Sequence, residues 1–233
     1  MTIEQPIKGE AAQAAKRLSA RPPADSPDTL GRAVARFFKG TSPRILMGLS
    51  AVMIGLRALH GPLHWTDFAV AGGIVAFWPV LEWLIHTQLL HFRPRKIGKW
   101  VIDPAFGREH REHHADPWNL DILFIPLRTY PIYFSILGGI YWATGGAPAV
   151  VTAAATYALF GLHYEWCHYL AHIRYRPRLR YYQRIVQKHR LHHFHNEKLW
   201  WGVSMTGGDW LLGTGPAPES APRSPTTRMV YDL

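Results

Sequence analysis

The 233-residue chain holds 14 histidines, and ten of them fall in four short windows. The windows are His86 and His91; His110, His113 and His114; His168 and His172; and His189, His192 and His193. They occupy 21 residues together and leave four histidines to the other 212. A lone histidine is most often a satisfied core or surface side chain. Ten packed this way point to bound transition metal, because neutral imidazole nitrogen suits Fe, Zn, Cu and Ni. In both His-x-x-His-His triples the offsets i, i+3 and i+4 predict three rings on one helical face, and His168 and His172 share a face at i, i+4. His86 and His91 are five apart, which on an ideal helix separates them by roughly 140°. The helix is therefore expected to distort or end there, as Pro94 favours, with the pair gripping metal from different directions. A pair and a triple separated by 18 residues, then a second pair and triple separated by 16, read as a duplication. Ten ligands on one side are too many for a single ion and suit two.

Other metal chemistries fail on the residues. A zinc protease needs His-Glu-x-x-His, and the chain has no His-Glu dipeptide. The single cysteine, Cys167, rules out a disulfide framework and the usual structural zinc sites. A ferritin-like di-iron bundle needs two Glu-x-x-His motifs, and only Glu165 to His168 fits. A haem protein wants isolated axial histidines, not triples. Glu82, four before His86, and Glu165, three before His168, are placed to accept the free ring N–H of those ligands and fix their tautomer. What remains is a histidine-rich dimetal centre at a membrane surface, where dioxygen activation by iron would suit an apolar substrate approaching from the bilayer.

The membrane follows from the elements that must carry these residues. Charged residues make up only 18% of the chain, against roughly 25% in soluble domains, and the apolar residues sit in blocks. The blocks at 45–59, 68–90, 130–143 and 148–171 predict four spans, at about 45–65, 67–91, 129–146 and 148–172. Residues 1–44 carry eight Lys/Arg, 93–121 carry six and 174–233 carry ten, while the links 60–66 and 144–147 carry none. The positive-inside rule then puts both termini and the histidines on the cytoplasmic side of a multi-pass protein. The same topology explains the net charge of +10, so nucleic-acid binding is not expected. The fold class is an all-α integral membrane protein: four transmembrane helices under a cytoplasmic cap of histidine-bearing helices. Residues 1–27 are expected to be a mobile tail, 28–213 the catalytic domain and 214–233 a disordered tail. Residues 28–39 are expected to form an interfacial amphipathic helix with Leu30, Val34, Phe37 and Phe38 on one face.

From 68 to 214 the chain resembles the fatty acid hydroxylase/sterol desaturase superfamily of membrane non-haem di-iron enzymes, and fatty acid 2-hydroxylases in particular. The run 82–86 to His91 looks like its first histidine box, and His110 to His114 followed by Asp116 and Pro117 like its second. Tyr164, Glu165, Trp166, Cys167, His168 and Tyr169 with His172 look like the third. His189 to His193, continuing through Trp201, Gly202, Val203 and Ser204 to Asp209, Trp210, Gly213 and Thr214, looks like the fourth. Glu165 stands where many 2-hydroxylases have Asp, and Cys167 where they often have Thr. The resemblance implies two irons held by the ten histidines (zinc being possible in isolated protein), O2 as co-substrate, and oxygen insertion into a C–H bond of a lipid, foremost a fatty acyl chain. Sterol desaturation and carotenoid hydroxylation are the alternatives within the superfamily, and a histidine-rich membrane metal carrier is the alternative outside it. With only 44 residues before the first block, a separate electron donor is expected, resembling cytochrome b5, ferredoxin or rubredoxin. The basic run Arg174, Arg176, Arg178, Arg180 and Arg184 is either its docking site or a positive-inside flank.

The remaining histidines are expected to stand apart from the metals. His60 and His64 fall on an outer link, His163 packs deeper in the membrane, and His195 bonds a group behind the ligands or lines the substrate mouth. Cys167 is expected to be inert packing. Trp200, Trp201 and Trp210 are expected to roof an acyl channel.

Overall fold

The computed structural model describes residues 21–227, and within them the fold is mostly helical with one two-stranded sheet. The helices are α1 (Leu30–Phe37), α2 (Thr41–Leu59), α3 (Trp65–Leu84), α4 (Ala105–Ala115), α5 (Thr129–Ala143), α6 (Pro148–Ala171), α7 (Arg180–Phe194) and α8 (Gly207–Leu212). A π-helical turn, Ile85–Leu90, continues α3, and a small antiparallel hairpin follows: β1 (Arg95–Ile97) paired with β2 (Trp100–Ile102). Gly98 turns that hairpin at φ +59°, a backbone conformation in which glycine alone is unstrained.

Among the described residues, two helical runs are long and apolar enough to cross a bilayer, Thr41–Leu59 and Trp65–Leu90. Phe68, Val75 and Phe77 stand exposed on the second, a surface that a hydrocarbon solvent satisfies and water does not. This is a membrane protein. Residues 129–143 form a helix of 15 residues, about 22 Å at 1.5 Å per residue, shorter than the roughly 30 Å hydrocarbon core. Helix α6 has 24 residues, but Glu165, His163 and His168 interrupt its apolar character. Ala154, Ala155, Ala158 and Gly161 give α6 a face of small residues, and a Cβ on Gly161 would come within 3.3 Å of Leu46 on α2. Small residues let helices approach closely where no hydrophobic effect drives them together.

At the end remote from the histidines, Arg57 of α2 is ion-paired to Asp67 of α3, both buried, and Thr152 of α6 also donates to Asp67. Arg57 further donates to the carbonyls of Gly61 and Pro62, so one guanidinium fastens the 60–64 link. At the histidine end, Ala33 and Phe37 of α1 are buried against Leu123, Tyr169, Leu170 and Ile173. The expected amphipathic helix is therefore present, but Phe37 faces the protein, while Leu30 and Val34 are exposed.

Both expected tails are partly structured. Residues 1–20 and 228–233 lie outside the described residues. Tyr175 N donates to Pro27 O at 2.8 Å and Arg174 to Ala24 O at 2.7 Å, which fixes 24–27 against the chain after α6. Residues 214–227, read from composition as disordered, instead fold back on α7. Ser224 N donates to His195 O, and Asn196 Nδ2 to Pro222 O. Composition missed this because the partners are backbone groups, which a Pro/Ser/Thr-rich segment supplies as well as any other.

Candidate metal centre

Four elements converge on one end of the bundle. The π-helical turn solves the five-residue spacing, because His91 N donates to His86 O at 3.0 Å, an i to i+5 bond. One widened turn brings the two rings to 5.1 Å with their planes at 61°, so the pair enters one group at different angles. Helices α4 and α7 present the two triples, and the end of α6 presents His168 and His172. All ten histidines are buried.

The ten form two groups of five: His86, His91, His110, His114 and His192; and His113, His168, His172, His189 and His193. Within each, the ligand nitrogens all lie within 4.8 Å of one another. The grouping does not follow the duplicated windows. The middle histidine of each triple crosses over, His113 joining the second-half ligands and His192 the first-half ones.

The nitrogens that meet are Nε2. His86 and His110 approach to 3.1 Å, His91 and His192 to 3.2 Å, His113 and His168 to 3.1 Å, His172 and His189 to 3.1 Å, and His189 and His193 to 3.0 Å. Ligands at right angles on a cation with metal–nitrogen bonds near 2.1 Å stand about 3.0 Å apart. Backbone carbonyls settle the ring orientation. His86 Nδ1 donates to Trp201 O at 2.6 Å, and His192 Nδ1 to Leu199 O at 2.8 Å. An amide oxygen only accepts, so Nδ1 carries the proton and Nε2 turns a lone pair inward. Burial first, and neighbouring imidazoles second, hold His110, His113, His189 and His193 well below the ordinary imidazole value. Neutral, inward-facing, convergent nitrogens are what a cation requires, and the residues fit one per group.

The three residues expected behind the ligands act at one remove. Glu82 directs its carboxylate at residues 203–205 and not at the His86 ring. Its carboxylate accepts from Val203 N at 2.7 Å, Met205 N at 3.1 Å, Ser204 Oγ at 3.0 Å and Ser204 N. It holds the loop whose Trp201 carbonyl orients His86. Glu165 likewise accepts from Ile125 N at 2.8 Å and from Ser42 Oγ, and this 123–125 loop offers the Leu123 backbone that His168 bonds. An i, i+3 or i+4 offset alone does not aim a carboxylate at a ring when a nearby loop offers several unpaired N–H groups. His195 donates to Ala221 O at 2.9 Å and anchors the returning C-terminal segment, whose Thr227 carbonyl accepts from His114 Nδ1 at 3.1 Å.

The other expectations divide. His60 packs edge-on to Tyr141, and His64 precedes α3 with its N–H on Asp67, both away from the groups. His163 bonds Tyr181 at 2.8 Å and lies beside the buried Cys167. Trp201 is buried with its ring 4.6 Å from His91 and 5.1 Å from His192, walling the first group. Trp200 is buried and donates to Pro216 O, whereas Trp210 is 84% exposed and roofs nothing. Asp209 appeared only as a matching letter in the fourth box, yet it orders the Trp201 loop. It accepts from Trp201 N at 2.8 Å, Gly202 N at 2.9 Å and Thr214 Oγ1 at 2.7 Å. A Cβ on Gly202 would strike the Met205 carbonyl, so that loop closes only around glycine. Glu197, fully buried and bonded to Thr226, gave no signal in spacing.

Comparison with known proteins agrees with this geometry. A fatty acid 2-hydroxylase of Homo sapiens is 27% identical over 146 residues, 59% of this chain and 37% of that protein. A ceramide very long chain fatty acid hydroxylase of Saccharomyces cerevisiae is 27% identical over 173 residues, 68% of this chain and 40% of that protein. A dihydroceramide fatty acyl 2-hydroxylase of Arabidopsis thaliana is 26% identical over 185 residues, 77% of this chain and 74% of that protein. The chain thus spans well under half the length of the animal and yeast relatives. The solved structure of full-length Scs7p, in which only the hydroxylase domain is visible, superposes with a TM-score of 0.61 at 22% identity. The match covers 78% of this chain and 68% of that one, and shows a shared fold. The sequence pattern of the fatty acid hydroxylase family matches residues 71–214, which take in all ten clustered histidines and most of the chain. The chain belongs to the fatty acid hydroxylase family, a family of oxidoreductases.

Proposed function

We propose that the protein is an O2-dependent membrane hydroxylase that inserts oxygen into a C–H bond of a fatty acyl chain, at the 2-position named for its relatives. The observation that carries the reading is the pair of five-nitrogen groups, buried side by side at one end of apolar helices. Two iron ions, one per group, supply dioxygen activation when bound. The protein's part is structural. Ten buried imidazoles converge in two groups, and the Trp201, Leu199 and Thr227 carbonyls orient three of them. Trp201 and the returning 214–227 segment wall the centre from water. Four of the ligands sit at the ends of α3 and α6, so an acyl chain moving in the bilayer reaches the centre from the membrane side. The histidines, and both termini with them, face the cytoplasm, and four segments (α2, α3, α5 and α6) pass through or into the membrane. Electrons come from a separate carrier resembling cytochrome b5, ferredoxin or rubredoxin.

Sterol desaturation and carotenoid hydroxylation are not favoured, because the relatives are named for fatty acyl hydroxylation. A metal carrier would spread its ligands from face to face along the spans, whereas these gather at one end. The test is elemental analysis of anaerobically purified protein, followed by 18O2 labelling of lipids in cells with and without it. About two iron per chain and 18O in 2-hydroxy acyl chains is the expected result. One metal or none in folded protein, or no labelled lipid from reconstituted enzyme, overturns the reading.

A further inference from the structure

A groove of about 670 Å³ opens on the face of α7 turned away from its histidines. Its lining includes Arg176, Arg190, Arg223, Gln183, Gln187 and Phe194, and no Asp or Glu. Arg176 and Arg223 are exposed at the rim, as are Arg174, Arg178, Arg180 and Arg184 nearby. Arg190 is half-buried, its guanidinium held by Ala171 O at 2.8 Å and Ile173 O at 2.7 Å, on either side of His172.

Beneath this basic surface lies a short aromatic connection. Phe194 stacks on Trp118 with centroids 5.3 Å apart and planes at 19°. Trp118 meets His172 at 6.0 Å, and Phe194 meets His193 at 6.2 Å. One or two rings therefore separate the groove from two members of the second histidine group. Electron tunnelling falls steeply with distance, so a path this short favours transfer from the groove.

We infer that this groove docks an acidic one-electron carrier protein, and that Phe194 and Trp118 form the electron entry to the group of His113, His168, His172, His189 and His193. The inference rests on the hydroxylase reading for its purpose. Hydroxylation combines R–H with one O2, two electrons and two protons to give R–OH and one water. A one-electron carrier must then dock and be oxidised twice per turnover, which favours fast, salt-sensitive association over tight binding. Opposed charge at a rim acts mainly on association rate and is screened by salt.

The test uses the full chain in nanodiscs of neutral lipid, with two acidic probes: the soluble haem domain of a cytochrome b5 and a [2Fe–2S] ferredoxin. Affinity is measured with and without metal. R176E/R223E is expected to weaken binding of at least one probe tenfold or more, and R176K/R223K to restore it. Reversing Arg95 and Lys96 on the distant hairpin is expected to change nothing. F194L is expected to leave affinity and metal content intact while slowing oxidation of the bound, reduced probe, read from its own absorbance. Binding of neither probe to wild type, equal loss from the hairpin variant, or an F194L protein that oxidises the carrier at the wild-type rate overturns the inference. So does an R176E/R223E protein with unchanged carrier affinity that differs only in anionic lipid, which would assign the groove to headgroups. Dithionite needs no docking surface. If wild type hydroxylates no lipid with dithionite yet binds a carrier through these arginines, the hydroxylase reading fails and the docking site stands.

Discussion

Replacing Glu82 with Gln removes one charge and almost no volume, and it should cost the protein one metal ion, not two. Each Glu82 oxygen accepts two hydrogen bonds, Oε1 from Val203 N and Ser204 N, Oε2 from Ser204 Oγ and Met205 N. In glutamine the better orientation keeps oxygen on Val203 N and Ser204 N and turns NH2 toward Ser204 Oγ, a hydroxyl that can accept, and Met205 N, which can only donate. At roughly 1.5–3 kcal/mol for a bond to a charged acceptor, loss of the Met205 bond alone costs the loop about 1.5–3 kcal/mol of preference for its position. That loop carries the Trp201 carbonyl, 2.6 Å from His86 Nδ1. Loss of such an outer partner typically lowers metal affinity ten- to a hundredfold, or about 1.4–2.8 kcal/mol. Only the group of His86, His91, His110, His114 and His192 depends on that carbonyl. The assay is retention of Fe(II) or Zn(II) against a graded chelator, counted per chain. At a chelator concentration that wild type withstands, E82Q should keep about one of two ions. Glu165→Ala should lose the other, because it removes the one oxygen that accepts from Ile125 N and Ser42 Oγ and so frees the loop that His168 bonds. Combination with His114→Ala separates the groups: E82Q/H114A should match H114A, whereas E165A/H114A should lose both ions. Equal retention by E82Q and wild type, or loss of both ions together, would refute the chain from carboxylate to loop to ring.

Other expectations follow from single contacts. His113→Ala should empty the group built mainly on α6 and α7, and His192→Ala the group built mainly on α3 and α4, each leaving about one metal per chain and membrane insertion intact. His60→Ala should change neither metal content nor activity. Gly208→Ala should lower stability by about 1–3 kcal/mol, seen as a lower Tm, because its Cβ would strike the Pro79 carbonyl on α3 and the helix cannot give way. The imidazoles of His110, His113, His189 and His193 are held below their ordinary value, so the folded metal-free protein binds fewer protons than the unfolded chain. Its stability should be full above about pH 6.5 and fall as pH drops below that, with bound metal shifting the fall to lower pH. A metal-free protein whose Tm is flat from pH 7 to 5 would contradict that burial.

The clustered histidines were legible because they are side chains at helical spacing: each of the ten lies in one of two groups that could hold a metal ion. The π-turn was half legible, since a five-residue gap between two such residues demands some distortion, but only backbone hydrogen bonds reveal which. Membrane blocks were visible as composition. Residues 130–143 show the limit of that signal, because an apolar run says how a helix is solvated, not how far it extends. The outer supports were least legible. Trp201, Leu199, Leu123 and Thr227 act through carbonyls, which every residue has, so no residue type marks them. Glu82 and Glu165 were found as unusual charges in apolar runs, and their targets were misread because the N–H groups they satisfy lie over 120 and about 40 positions away.

The crossing of His113 and His192 follows from helical geometry and explains why the two five-histidine groups lie side by side. On a helix of 3.6 residues per turn, i and i+4 differ by about 40° in direction, while i+3 lies about 60° to the other side. A His-x-x-His-His triple therefore straddles a seam. Its first and last rings turn one way and its middle ring turns the other. His110 and His114 enter one group while His113 enters the second, and α7 does the reverse with His189, His193 and His192. Both α4 and α7 then contribute to both groups, and the rings of His114 and His193 stack across the boundary at 4.1 Å. Neither site can form from one half of the duplicated sequence alone. Moving the middle histidine one position, as in H113A/E112H, should leave the second group a ligand short while adding none to the first. A variant that still held two ions with wild-type affinity would show that the triples act as independent clusters and that the seam has no role.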